Sequence, residues 1–115
     1  MGVGLNVKVE EKAGKKVVHL EGRLDATSTP QLEDQIGGLI GAGSKHIVVD
    51  FARVEYLSSA GMRLMLSNTK RLKAEHGSFR FCSISDDVME IIKMAGFEKI
   101  LSIYASEQEA LEATG

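Results

Sequence analysis

Strand-type and helix-type hydrophobic patterns alternate along this chain, and that alternation restricts its fold more than any other feature of the sequence. Leu5, Val7 and Val9 alternate with polar residues, and Val17–Leu20 resumes a strand-type pattern after a turn, which predicts an opening β-hairpin. From residue 28 onward, apolar residues at helical spacing separate short strand-type runs, so the predicted order is β-β-α-β-α-β-α-β-α. We therefore expect one α/β sheet of about five strands, mostly parallel with an N-terminal antiparallel hairpin, packed with four helices.

The strand-type runs after the hairpin are short. His46–Phe51 contains a β-branched run that is typical of a strand covered on both faces. Arg53–Leu57 is predicted to be a connection between this strand and the second helix. Phe79–Ile84 and Ile100–Tyr104 are predicted to be the last two strands.

Hydroxyl side chains mark the predicted helix starts. Ser28 or Thr29 precedes the first helix, and Ser85 precedes the third. Ser106 opens a capping-box sequence before the last helix. The second helix is predicted to start within the small-residue segment Ser58–Gly61.

The parallel order predicts where functional residues lie. In a parallel sheet, the loops that leave the carboxyl ends of the strands meet at one edge, where α/β proteins commonly place their sites. Asp25 and Ser59, far apart in the sequence, should therefore be neighbours in space. The predicted edge segments are Arg23–Ser28, Tyr56–Gly61, Ser83–Asp87 and Tyr104–Ser106.

Composition excludes several classes of function. The 115 residues suit a single domain, 1–115, and the net charge of −2 argues against nucleic acid as a partner. Cys82 is the single cysteine, so no intramolecular disulfide can form. A lone thiol is compatible with a reducing compartment, and we therefore expect a cytoplasmic protein. There is no apolar stretch of membrane-spanning length and no strongly basic amphipathic face, so we expect no direct membrane insertion.

Ser59 is the residue with the clearest chemical potential. It stands at or beside a helix start with small neighbours, so a phosphate on its hydroxyl would meet unpaired backbone N–H groups and the positive end of the helix dipole. The alternative interpretation is that Ser58 and Ser59 only cap the helix, because serine is among the commonest caps. Asp25 also has two interpretations: a partner-binding residue, or a turn residue that bonds its own backbone.

Two segments resemble a known family. Gly22-Arg23-Leu24-Asp25 before a helix, together with Val48-Val49-Asp50-Phe51 and Tyr56-Leu57-Ser58-Ser59-Ala60-Gly61-Met62-Arg63, is similar to the STAS domain family, and more narrowly to the anti-sigma factor antagonists of bacterial partner-switching systems. The resemblance extends over nearly the whole chain.

The resemblance implies a binding module and not an enzyme. Members bind an anti-sigma factor that is also a serine kinase, and so release a sigma factor; phosphorylation of a serine ends the binding, and a serine phosphatase restores it. The family's acceptor, two residues before the glycine, is Ser59 here, and its acidic loop residue is Asp25. The family commonly has aspartate where this chain has Ser58, which makes Ser58 an alternative acceptor, and Ser or Thr where it has Ala60. The implied partner-binding residues are Arg23, Asp25, Ser58, Ser59, Gly61, Met62 and Arg63. For Met62 the alternative interpretation is that it packs against the sheet.

Other functions remain as alternatives. The same family includes subunits of membrane lipid transporters that dock on an ATPase, and the loop edge could instead bind a nucleotide or small molecule. The three histidines, His19, His46 and His76, show no ligand spacing and no cysteine cluster, so the sequence predicts no metal site. The glycines between residues 37 and 43 lead out of a helix into a strand, the reverse of a dinucleotide fingerprint, so no cofactor is expected.

Overall fold

The structure is a computed structural model that describes residues 4–113. Four helices and five strands lie within this range, in the predicted order. The strands are β1 (Leu5–Lys12), β2 (Lys15–Leu24), β3 (His46–Leu57), β4 (Ser78–Cys82) and β5 (Ser102–Tyr104), and the helices are α1 (Thr29–Gly41), α2 (Ser59–Ala74), α3 (Asp86–Met94) and α4 (Glu107–Glu112).

The five strands form one sheet in the order β1-β2-β3-β4-β5. β1 pairs antiparallel with β2, and every later pairing is parallel. The predicted fold class, with its antiparallel opening hairpin, is confirmed. Strands adjacent in the chain are therefore adjacent in the sheet.

The strand β3 is longer than the sequence pattern indicates. The prediction that Arg53–Leu57 is a connection is wrong, because β3 stays paired with β2 as far as Leu57, opposite Leu24. β3 contains one extra residue between Asp50 and Arg53, opposite His19 and Glu21 of β2, and another between Val54 and Tyr56. These bulges disrupt the alternation of buried and exposed residues along β3. Pairing with a long neighbour therefore extends a segment whose own pattern does not specify a strand.

The last two strands are shorter than predicted. β4 ends at Cys82 because Ser83 adopts a left-handed backbone with φ of 59°, which turns the chain out of the sheet. β5 begins only at Ser102, and Ile100 before it is 52% exposed. Both corrections shorten a strand at a loop, where sequence periodicity gives little information.

Alternating side chains divide the core into two unequal parts. The larger part joins the sheet to α1, α2 and α3 and includes the edge-to-face rings of Phe51 and Phe81. The smaller part, on the opposite face, contains Val17, Val48 and Cys82 packed against Ala110 of α4. Because α4 has only six residues, it covers a small part of that face.

The predicted caps of α3 and α4 are confirmed. Ser85 Oγ accepts a hydrogen bond from the Val88 amide at 3.3 Å, and Ser106 Oγ accepts one from the Glu109 amide at 3.2 Å. Ser28 occupies the residue before α1, but its side chain does not cap that helix. None of the helices within residues 4–113 is long and apolar enough to cross a membrane.

Candidate functional site

The carboxyl ends of β2 and β3 bring two distant turns together. Leu24 and Leu57 are register partners, and the Ser58 amide donates a hydrogen bond to the Leu24 carbonyl at 2.9 Å. The turn that begins at Asp25 and the start of α2 at Ser59 therefore follow directly from two bonded residues. This places them side by side, as the parallel order predicts. We call the surface formed by residues 23–28 and 56–63 the switch edge.

Ser58 is the N-cap of α2. Its backbone is extended, with φ of −90° and ψ of 170°, and its Oγ accepts a hydrogen bond from the Gly61 amide at 3.2 Å. Its carbonyl accepts from the Met62 amide at 3.0 Å, the first bond of the helix. The hydroxyl of Ser58 is thus already occupied by the fold, and the side chain is half-buried.

Ser59 is the first residue of the helix and has a different role. Its side chain is exposed, and within residues 4–113 no group forms a hydrogen bond with its hydroxyl. The capping interpretation therefore holds for Ser58 and not for Ser59. Over the same range, the amides of Ser59 and Ala60 have no protein acceptor, and the first turn of α2 contains no acidic residue. This helix start combines free N–H groups with the positive end of a 16-residue helix dipole.

Asp25 organises the turn beside Ser59. Its Oδ1 accepts hydrogen bonds from the amides of Thr27 and Ser28, both at 3.0 Å, and the Ser28 amide is the main reason that the pKa of Asp25 lies below its ordinary value. Ser28 is buried, and its hydroxyl accepts from the Asp25 amide at 3.0 Å and donates to the Arg23 carbonyl at 2.6 Å. The turn interpretation of Asp25 is confirmed, and a partner-binding role for the same carboxylate stays a prediction.

Arg23 and Tyr56 form a stacked pair on the switch edge. They are register partners on β2 and β3, and the Arg23 guanidinium lies 4.4 Å from the centre of the Tyr56 ring. Arg23 Nε is also 4.0 Å from Asp25 Oδ2. The side chains of Arg23 and Tyr56 are both exposed. The sequence predicts both residues at this edge, but it does not predict their stacking or a role for Tyr56. The segment of Tyr56 was predicted to be a connection, so no register could be assigned to it.

The remaining predicted site residues differ in accessibility. Gly61 is buried, and a Cβ atom there would lie 2.7 Å from Leu57 Cδ1 and 2.9 Å from Leu24 Cγ, so this position allows α2 to approach the sheet closely. The Met62 side chain lies in the core and is 7% exposed. Arg63 is exposed. Gly61 and Met62 therefore position this surface from beneath, whereas Arg63 is available at the surface itself.

Metal-ligating side chains do not converge at the switch edge. Within the described part of the chain, one group of at least three histidine, cysteine or acidic residues comes close enough to hold an ion, and it lies elsewhere on the sheet. The switch edge thus offers a free hydroxyl, a helix start, a structured carboxylate and a stacked arginine. These are features of a recognition surface and of a modification site.

Comparisons with known proteins agree with this fold. The family model described as STAS domain matches residues 6–110. The anti-sigma F factor antagonist of Paenibacillus polymyxa is 26% identical over 110 residues, which cover 95% of this chain and 94% of that protein. The crystal structure of an anti-sigma factor antagonist from Mycobacterium paratuberculosis superposes with a TM-score of 0.86 at 25% identity, covering 96% of this chain and 94% of that one.

The fold is also found in a protein solved in two covalent states. SpoIIAA in its unphosphorylated form superposes with a TM-score of 0.78 at 24% identity, covering 93% of this chain and 94% of that one. The phosphorylated form of the Bacillus SpoIIAA superposes with a TM-score of 0.71, covering 93% and 97%. The two SpoIIAA structures therefore have this fold with and without a phosphate.

Proposed function

Because the chain belongs to the STAS domain family, we propose that it is an anti-sigma factor antagonist that binds an anti-sigma factor through the switch edge. The chain matches relatives with this name over 94% and 100% of their own length. The anti-sigma factor is proposed to be a serine kinase as well. The unphosphorylated antagonist occupies it and so releases a sigma factor.

The observation that carries the proposal is the free hydroxyl of Ser59. It is exposed and has no hydrogen-bond partner within residues 4–113, so a kinase can reach it without breaking an interaction of the fold. The kinase would transfer the γ-phosphoryl group of ATP to Ser59 Oγ, releasing ADP and the hydroxyl proton. The added phosphate would be tolerated, because the neighbouring amides of Ser59 and Ala60 and the helix dipole favour an anion at this position.

The phosphate would act on binding through charge. It adds about 1.5 to 2 negative charges beside the turn that holds the Asp25 carboxylate, and it must be desolvated when a partner covers the switch edge. A loss of roughly 3 kcal/mol of interface free energy lowers affinity on the order of a hundredfold, which is enough to release a partner. A serine phosphatase would remove the group and restore binding.

The binding half of the proposal is tested by affinity capture from the native host. Wild type, Ser59→Ala and Ser59→Asp are immobilised side by side, together with Ser67→Asp, which adds the same charge at an exposed serine of the same helix. We expect wild type, Ser59→Ala and Ser67→Asp to retain a kinase-type anti-sigma factor and Ser59→Asp to lose it. Equal capture by Ser59→Asp and Ser67→Asp would contradict a switch at Ser59.

The phosphorylation half needs the captured kinase and ATP. Intact-mass spectrometry should show one added phosphate on wild type and none on Ser59→Ala. Peptide mapping distinguishes the alternative acceptor Ser58, whose hydroxyl is engaged with the Gly61 amide. A full phosphate on Ser59→Ala would reassign the acceptor, and a phosphate at Ser58 would identify where it moved.

A further inference from the structure

A histidine and three carboxylates converge on the sheet face that carries α4. His19 of β2 lies with its Nδ1 2.7 Å from Asp50 Oδ2 of β3, and with its Nε2 2.5 Å from Glu10 Oε1 of β1. Glu107, in the first turn of α4, completes the group, since one ligand atom each of His19, Asp50 and Glu107 lie within 4.8 Å of one another. No pair of these residues has a spacing that sequence inspection would recognise as a metal motif.

The donor atoms suit a borderline divalent cation. Imidazole nitrogen and carboxylate oxygen are the common ligands of Zn²⁺, at about 2.0 to 2.2 Å from the ion. Three donors around one ion are therefore separated by at most about 4.4 Å, twice that bond length. The side chains of His19, Asp50 and Glu107 are already within 4.8 Å, so small rotations about their χ angles are enough to enclose an ion.

The charges around the group also favour a cation. Glu10, Asp50 and Glu107 are acidic, and the cation among them besides His19 is Lys12, whose Nζ lies 2.6 Å from Glu107 Oε2 and 3.5 Å from Glu10 Oε1. With His19 protonated between two carboxylates, the cluster retains one net negative charge. Replacing that imidazole proton with a divalent cation makes the cluster neutral, which suits a half-buried position.

Glu10 has the position of a supporting residue. A histidine that binds a metal through one ring nitrogen usually donates the N–H of its other nitrogen to a carboxylate, which fixes the tautomer. Here Asp50 faces Nδ1 and Glu10 faces Nε2. The ion would therefore bind Nδ1 beside Asp50, while Glu10 accepts the Nε2–H hydrogen bond.

We propose that His19, Asp50 and Glu107 form a site for a divalent transition metal of the Zn²⁺ class, with Glu10 orienting the imidazole. A cleft of about 670 Å³, lined by Glu10, His19 and Asp50, gives an ion access from solvent. The bound ion links β2, β3 and α4, and so holds the short helix on the sheet. The site is separate from the proposed function, because it lies on β2, β3 and α4 outside the residues of the switch edge.

The test is a titration of the untagged full chain with ZnCl₂ in an isothermal calorimeter at neutral pH. We expect saturable binding of one ion, and a rise of the unfolding midpoint that grows with Zn²⁺ concentration. Co²⁺ is the spectroscopic probe, since its visible absorption reports an inner-sphere nitrogen and oxygen ligand set. Absence of saturable Zn²⁺ binding would overturn the proposal and leave the cluster as a group of ion pairs.

Variants assign the ligands. Glu107→Gln is the first choice because it removes the carboxylate charge with almost no change in side-chain size, although it also removes the ion pair with Lys12. His19→Ala is the second choice. Each should weaken Zn²⁺ binding by more than about tenfold and abolish the thermal shift, with an unchanged circular dichroism spectrum. His46→Ala is the matched control, since His46 is exposed on β3 and contacts Ser78 instead. Unchanged affinity in Glu107→Gln and His19→Ala, or loss in His46→Ala, would contradict the assignment.

Discussion

The two adjacent serines at the start of α2 should respond differently to the same substitution. Ser58→Ala removes the side-chain oxygen that accepts the Gly61 amide at 3.2 Å, whereas Ser59→Ala removes a hydroxyl without a partner in residues 4–113. The backbone bonds of Ser58 to the Leu24 carbonyl and from the Met62 amide remain in both variants. The comparison therefore isolates one capping hydrogen bond.

The expected magnitude follows from that single bond. Loss of a serine N-cap costs about 1 kcal/mol, within a range of roughly 0.5 to 2. Ser58 is half-buried, so water reaches the released amide only in part, and we expect a value near the middle of that range. Ser59→Ala should change the free energy of unfolding by less than about 0.5 kcal/mol, as is usual at an exposed position without a specific contact.

Urea unfolding followed by far-UV circular dichroism measures both values. The chain has no tryptophan, so the helical signal is the better probe. With an m-value on the order of 1 to 2 kcal/mol per molar urea, Ser58→Ala should lower the midpoint by about 0.5 to 1 M, and Ser59→Ala should leave it nearly unchanged. Ser58→Gly should recover most of the loss, since glycine is a tolerable cap.

The opposite ranking would refute the assignment. If Ser59→Ala were the more destabilising variant, its hydroxyl would be part of the fold, and phosphorylation there would have to break the helix start. If both variants were neutral, the 3.2 Å contact of Ser58 would not function as a cap.

Three further results are expected. Gly61→Ala should lower the free energy of unfolding by about 1 kcal/mol, because crowding against Leu57 and Leu24 costs about 1 to 3 kcal/mol and the better helix propensity of alanine offsets about 1 kcal/mol of that cost. A urea midpoint above that of wild type would contradict this. The Cys82 thiol is buried, and desolvation is the main reason that its pKa is raised to about 11. It should therefore react with a thiol reagent at neutral pH only after the protein unfolds. Rapid labelling of the native protein would contradict its burial. The pKa of Asp25 lies below its ordinary value of 3.8, so its ionised carboxylate stabilises the fold at pH values above 3.8, and this contribution is lost as the pH falls below that value. Asp25→Asn should therefore lose less stability in acid than wild type does. Parallel acid-unfolding curves would show that the hydrogen bonds to this carboxylate contribute nothing.

Sequence patterns anticipated the switch edge because its determinants are local. A small-residue segment between a strand and a helix predicts a helix start, and parallel order places Asp25 and Ser59 at one edge. The distribution of roles between Ser58 and Ser59 was not predictable, since either serine can act as a cap and only the backbone conformation decides which one does. The place of Met62 in the core likewise depends on the angle at which α2 meets the sheet.

The hydrophobic periodicity of this chain determined by itself that it would form a mostly parallel sheet with covering helices, because burial of one face by each segment is a local property of the sequence. Only the tertiary structure decided the contacts that depend on register. It kept Arg53–Leu57 in a strand and stacked Arg23 on Tyr56. It also gathered His19, Asp50 and Glu107 from three elements. Such contacts join residues far apart in the chain, and the spacing of residues along a sequence does not encode the alignment of one strand against another.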